Sequence, residues 1–267
     1  MKMQGLTYIA IFVAIYYLFA PIFSWFRQTH QQYYTRRPVE IDDLPPVAVQ
    51  GIRQMVDELV PLGFQVASHT FNSKPVPRVH SGIILFLNRT SGDIAQGIYT
   101  IGHVTLNPVA TNNLDSTLHK KSNWMFVFQS KYISGRSIAT KSSRTASVFP
   151  INPRCDSINV NWLSSPAEIY QIHRARVKRF GAEDLCALPN PGEEIAYLDA
   201  ESAAEMQRVV DVGYYWLDAP AKVYRLTLKG AYLMTWRLLP PWRQLRKANQ
   251  RRKALRELRS ARQRIDP

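Results

Sequence analysis

The chain has 267 residues, with 34 Lys plus Arg against 20 Asp plus Glu and a formal net charge of +14. With 46% hydrophobic residues and two cysteines, it is neither a disordered polyampholyte, a collagen-like repeat nor a disulfide-stapled mini-protein. Its length accommodates one or two ordinary domains with cores of their own.

Leu6 to Phe26 carries no charge and is mostly apolar. At about 1.5 Å per residue such a run reaches across a hydrocarbon core of about 30 Å. Tyr16, Tyr17 and Trp25 suit the interface, and Pro21 falls near the end, where a kink is tolerated. A cleaved signal peptide fits less well. The apolar part is too long and aromatic, and Ala20-Pro21-Ile22 is a poor cleavage site. A buried core helix would need a polar face that the stretch lacks. Residues 1–26 are therefore expected to be a transmembrane anchor. Arg27, Arg36 and Arg37 outweigh Lys2, which places the bulk of the chain in the cytoplasm as a single-pass membrane protein. Cys155 and Cys186 agree with a reducing compartment. Asn88-Arg89-Thr90 is a formal glycosylation sequon, of a kind expected by chance.

Residues 27–43 read as a polar juxtamembrane linker. After Pro45-Pro46, the spacing of Val49, Ile52, Met55, Val56, Leu59 and Val60 predicts a helix, stopped by Pro61 and Gly63. Strand-like stretches follow at Phe64–Phe71, at Gly82–Leu87 (a solid apolar run suited to a central strand), at Ile94–Leu106 and at Trp124–Tyr132. Ser134-Gly135-Arg136 turns the last of these into Ser137–Lys141. Consecutive strands with short turns imply an antiparallel meander.

Ser165-Pro166-Ala167-Glu168 is a capping box with Pro at the first helical position. It opens a helix that passes Phe180 and ends at Gly181. Pro189-Asn190-Pro191-Gly192 marks a boundary. Beyond it a helix capped by Asp199 is expected to run to about Leu217, then a strand at Tyr224–Leu228 and a helix at Gly230–Leu239 before Pro240-Pro241. The expected class is α+β: an N-terminal transmembrane helix, an antiparallel β-meander with flanking helices, a helical C-terminal part and a basic tail helix. The divisions are 1–26 anchor, 27–43 linker, 44–188 α+β domain, 189–240 mainly helical subdomain and 241–267 tail.

The tail holds ten Lys and Arg residues against Glu257 and Asp266, and its helix propensity is high throughout. Its heptad pattern breaks at Asn249 and Arg252, which argues against a coiled coil. Three roles compete: a solvated, frayed tail, attraction to anionic lipid, or nucleic-acid binding. Tethering raises the tail's effective concentration at its own membrane, so lipid ranks above nucleic acid. The lipid-binding candidates are Trp236, Trp242, Arg243, Arg246, Lys247, Arg251, Arg252 and Lys253. The nucleic-acid reading draws on Tyr224-Arg225-Leu226-Thr227-Leu228-Lys229-Gly230. This segment of fewer than ten residues resembles the wing strand and following turn of winged-helix transcription regulators.

Sequence motifs for zinc, phosphate loops, dinucleotides and the α/β-hydrolase elbow are absent, so no cofactor and no metal is expected. His69, His80, His103, His119 and His173 are isolated, and nothing local joins Cys155 to His173 as nucleophile and base. Thr140, Lys141, Ser142, Ser143, Arg144 and Thr145 make the candidate anion-binding segment, which reads equally as a solvated loop at a hairpin end. A second cationic patch, from His173 to Arg179, precedes Glu183, Asp184, Glu193 and Glu194, which would neutralise it. No catalytic residue is assigned. The leading expectation is a membrane-anchored binding or scaffolding protein whose basic C-terminal helix touches anionic lipid. The alternatives are an enzyme on a membrane-associated or anionic substrate and a winged-helix-like nucleic-acid module. A real active site would gather at least two of His103, His119, His173, Cys155 and the Ser/Thr cluster around one concave pocket.

Overall fold

A computed structural model describes residues 2–31, 36–44, 46–76, 79–104, 119–143, 147–180 and 184–262. The chain divides into two compact units. The larger takes residues 35–144, 152–197 and 251–267. The smaller takes 1–34, 145–151 and 198–250.

In the larger unit, helix α2 (Pro46–Leu59) places Ala48, Ile52, Met55 and Leu59 on one fully buried stripe, the i, i+4, i+7, i+11 spacing of a core-facing helix. Val60, expected to extend that stripe, is 48% exposed because the chain tightens into a 3-10 turn there and leaves through Gly63 in the left-handed region. Beneath α2 lies a seven-stranded sheet in the order β2-β3-β4-β5-β6-β7-β8. Its strands are β2 (Arg37–Pro38), β3 (Gln65–Val76), β4 (Val79–Asn88), β5 (Asp93–Val104), β6 (His119–Lys131), β7 (Ser137–Ser142) and β8 (Cys155–Asn159).

The pairs from β2 to β7 are all antiparallel, the expected meander. On β4, Ile84 and Phe86 face one way and Leu85 and Leu87 the other, and all four are buried, as the apolar run requires of a central strand. Asn88 shapes the next turn, its side-chain oxygen accepting from the Thr90 and Ser91 amides. On β5, Gly97 leaves room for α2, since a Cβ there would stand 2.3 Å from the Met55 sulfur. Strand β8 was not anticipated. It pairs parallel to β7, and its short mixed sequence gives no alternation to read.

Helix α3 (Pro166–Phe180) then packs on β6 and β7 and on α2. The Ser165 hydroxyl meets the Glu168 amide at 3.3 Å, as a capping box should. Glu168 itself is exposed, and it is Glu58 on α2 that accepts from the Ser165 hydroxyl at 2.6 Å and the Ala167 amide at 3.1 Å. Packing has supplied the second half of the cap.

The smaller unit contains α1 (Lys2–Arg27), α4 (Glu194–Asp211, from residue 198 on), α5 (Leu228–Leu238) and the first part of α6 (Trp242–Arg262). Its three-stranded antiparallel sheet runs β1-β10-β9, from Thr29–Gln31, Val223–Leu226 and Tyr215–Asp218. Helix α4 begins earlier and ends earlier than expected. Gly213 adopts φ +78, and the Gly213 and Tyr214 amides bond back to the Val210 and Val209 carbonyls, a Schellman stop that frees 215–218 to become β9. Thr227 caps α5, its hydroxyl accepting from the Gly230 amide at 2.8 Å. Val209, Tyr214, Tyr215, Tyr224, Leu226, Ala231 and Met234 form this unit's core.

The mixed α+β class is thus present, with six helices and two sheets among the described residues. The transmembrane part of the expectation is not supported: among the described residues no helix is long and apolar enough to cross a membrane. The C-terminal half of α1 belongs to the fold of the smaller unit, where α1 packs along α5 with Pro21 buried. The side chains at 2–7 and 9–14, nearly half of the expected anchor, lie outside the described ones. The expected linker also carries structure, since it contains β1, β2 and a 3-10 turn at Ile41–Asp43.

Candidate functional site

In the larger unit a set of polar side chains is sealed between β5, β6, β7 and α3. Asp93, Ser130, Thr140 and His173 are all 0% exposed and Arg176 is 2% exposed. Strand β5 begins at Asp93 and β6 brings Ser130, while His173 and Arg176 share one face of α3 three residues apart.

The hydrogen bonds run in one direction. Arg176 donates to the Thr140 hydroxyl at 2.9 Å, so the Thr140 proton faces His173 Nδ1, 3.2 Å away. Nε2 of the ring then carries the proton and donates to Ser130 Oγ at 2.9 Å, and Ser130 donates to Asp93 Oδ1 at 2.5 Å. Asp93 Oδ2 also accepts from Ser91, Tyr170 and Arg174. At the other end Arg176 reaches the Asp156 carboxylate at 2.9 Å, and Lys253 reaches it from α6 at 2.6 Å.

The electrostatics follow from the sealing. Burial pushes the His173 imidazole down to about 3, against the pull of the Asp93 carboxylate, so the ring is neutral. Burial likewise raises the Tyr170 hydroxyl to about 12, and Asp93 adds to the shift. For Asp156, burial pushes the carboxyl up, but Lys253 and Arg176 together outweigh it and hold it below the usual carboxylate range.

This centre has the residue types of a catalytic triad in the wrong order. Ser130 stands between His173 and Asp93 and gives its proton to the carboxylate, so the ring is not placed to take it. It also has no opening. A depression of about 650 Å³ along α2 is lined by such residues as Arg53, Asp57 and Glu58, and none of the candidate histidines, Cys155 or Thr140 borders it. Among the described residues no three His, Cys, Asp or Glu gather as a metal site.

The anion-binding candidates are placed differently from the expectation. Thr140 to Ser142 lie within β7, and Thr140 belongs to the buried centre. Ser142 donates to the Leu163 carbonyl, while the Ser143 amide and carbonyl are held by the Asn159 side chain. Lys141 accepts from the Val160 amide through its backbone carbonyl. Thr140 and Lys141 are thus paired with β8, and Ser142 and Ser143 are engaged by Leu163 and Asn159. Arg144 and Thr145 lie outside the described residues, as do the side chains of His80, His103 and His119. His173 is bonded to Ser130 and Thr140, and Cys155 is a free, half-buried thiol on β8.

The His173–Arg179 patch is neutralised from elsewhere than expected. Arg174 pairs with Asp93, Arg176 with Asp156 and Arg179 with Glu257. Sequence reasoning missed Asp93, Ser130, Asp156 and Arg176 as a group. Asp93 opens β5 and Ser130 lies on β6 with no local link between them, and only the pairing β5–β6 brings them together.

Within the basic tail, Trp242–Arg262 form one helix, α6, and part of it docks. In the larger unit Ala254 is fully buried, Lys253 pairs with Asp156, and Arg251 lies 5.9 Å over the Trp162 ring. In the smaller unit Arg246 donates to the Ser147 carbonyl. Trp242, Arg243, Lys247 and Arg252 remain exposed. Arg246, Arg251, Lys253 and Ala254 thus each contact the rest of their own unit.

The other unusual surface is α1. Tyr8, Phe19, Phe23 and Phe26 are 72%, 56%, 64% and 72% exposed, with Ile15 and Leu18 half exposed beside them. Arg27 lies 5.4 Å over the Phe23 ring at the helix end. No family model, curated protein or solved structure matches the chain.

Proposed function

We propose that this chain is a membrane-held binding or scaffolding protein, anchored by α1, with its soluble part facing the cytoplasm and α6 touching anionic lipid. The observation that carries the reading is the exposed aromatic face of α1, Phe19, Phe23 and Phe26. Leaving such rings in water forgoes about 1.5–3 kcal/mol each, and the run from Leu6 to Phe26 offers no charge to oppose insertion. The arginines after the helix favour the cytoplasmic side. On α6, Arg243, Lys247 and Arg252 with Trp242 are the groups left to meet lipid headgroups.

The test is flotation of the full chain with vesicles. Wild-type protein stays with neutral and anionic vesicles in about 1 M salt, where surface charges are screened within about 3 Å. Phe19→Glu with Phe23→Glu releases it under the same salt. Wild-type protein left in the supernatant, or a variant still bound, overturns the anchor.

A nucleic-acid role gains one element from the β9–β10 hairpin followed by the Thr227-capped α5. The helix before that hairpin opposes it. Helix α4 carries Glu194, Asp199, Glu201, Glu205 and Asp211 against Arg208 alone, and would repel phosphates. For an enzyme acting on a membrane-associated or anionic substrate, the sealed centre offers no substrate a way in.

A further inference from the structure

Pro21 lies inside α1 and has no backbone N–H. In a regular helix that amide would bond the carbonyl four residues back, so the Tyr17 carbonyl is left open. From α5, the Trp236 indole N–H donates to this carbonyl at 3.4 Å. Tyr232 donates to the next one, Leu18, at 3.1 Å, and the two rings meet edge to face 5.6 Å apart. The Leu18 carbonyl keeps its own helical donor, Ile22. Tyr17 does not.

We propose that the Trp236 indole replaces the donor that Pro21 lacks, so that α1 and α5 form one lipid-facing helix pair instead of a lone anchor helix. The hydrogen-bond part stands on geometry alone, while the lipid-facing part rests on the membrane reading above. An open carbonyl is cheap in water and costly away from it, which gives α1 a reason to keep a companion at this level. The surface that α5 adds suits a bilayer interface. Residues 228–250 hold Lys229, Arg237, Arg243, Arg246 and Lys247 with no acid. Trp236, Leu238, Trp242 and Leu245 stand 44–54% exposed among them. Aromatic rings mixed with unopposed cations match an anionic headgroup layer.

The experiment is a double-mutant cycle in the full chain reconstituted in anionic vesicles. Trp236→Phe keeps the ring and removes the donor. Pro21→Ala returns the missing amide. Trp236→Phe lowers the thermal midpoint by about 2–4 °C when Pro21 is present and by little when Ala stands there. Tyr232→Phe is the control and costs the same in both backgrounds. An equal loss from Trp236→Phe in both overturns the pairing.

Crosslinking with a photoactivatable acyl lipid reads the second part. Adducts on residues 228–238 as well as on α1 support the lipid-facing pair. Adducts on α1 alone overturn α5 as a lipid contact and leave the anchor standing. Adducts on neither overturn the membrane reading itself, whatever the cycle returns.

Discussion

On α3 the most deeply buried side chains include His173 and Arg176, whereas on α1 Phe19, Phe23 and Phe26 are more than half exposed. Both helices invert the ordinary distribution of polarity, in opposite directions. On α3 most of the inversion is compensated inside the larger unit, since Ser130 and Thr140 bond both ring nitrogens of His173, Asp93 pairs with Arg174, and Asp156 pairs with Arg176, whose Nε is buried without a partner. On α1 the smaller unit covers only part of the apolar surface. A buried charge with partners is a closed account of structure, whereas an exposed aromatic stripe points outward to something else.

The sharpest way to break this contrast is Arg176→Ala. It leaves the buried Thr140 hydroxyl and Ala139 carbonyl without their donor and Asp156 with only Lys253. Urea denaturation should find a loss of about 3–5 kcal/mol. A loss below about 1 kcal/mol, the range of surface pairs, would mean that the centre is not what holds α3.

In the smaller unit, Gly230→Ala is the counterpart. A Cβ there would stand 2.2 Å from the Tyr214 carbonyl oxygen, so α5 must move from the sheet, at a cost of about 1–3 kcal/mol. Hydrogen exchange should rise in β9, β10 and α5 while β4 to β6 stay protected. Equal loss of protection in both units would show that they unfold together and that the comparison between them has no energetic basis.

The third test uses pH. His173 has a pKa of about 3 in the fold against 6.5 when free. Below 6.5 the unfolded chain binds a proton that the fold excludes, so stability falls as pH drops through the window from 6.5 toward 3 and recovers as pH rises. The slope from this group is at most about 1.4 kcal/mol per pH unit. His173→Gln, which can still bond on both sides but does not titrate, should flatten the acid limb of denaturant midpoints. An unchanged limb would place the acid sensitivity in other groups.

Several elements were legible because they depend on neighbours in sequence. The α2 stripe, the β4 run, the Ser165 cap and the end of α5 before Pro240 all follow from periodicity or turn chemistry. The span of α4 differs from the expectation at both ends, because Gly192 and Glu194 close the helix start ahead of Asp199 and Gly213 in the left-handed region stops it before Leu217.

What the sequence by itself determined is the α+β class, the meander, the uncharged N-terminal run and the concentration of cations after residue 241. Each is a property of adjacent residues or of composition. Only the tertiary structure decided that Thr140 is a buried link and not a surface ligand, that Arg176 is met by Asp156, and that Glu58 completes the cap of α3. The same holds for Trp236, which lies 219 positions from the Tyr17 carbonyl it serves. Those contacts join residues from 20 to 219 positions apart. No local pattern encodes them, because partner choice across such distances is made by packing, where a polar group goes wherever an unsatisfied partner is waiting.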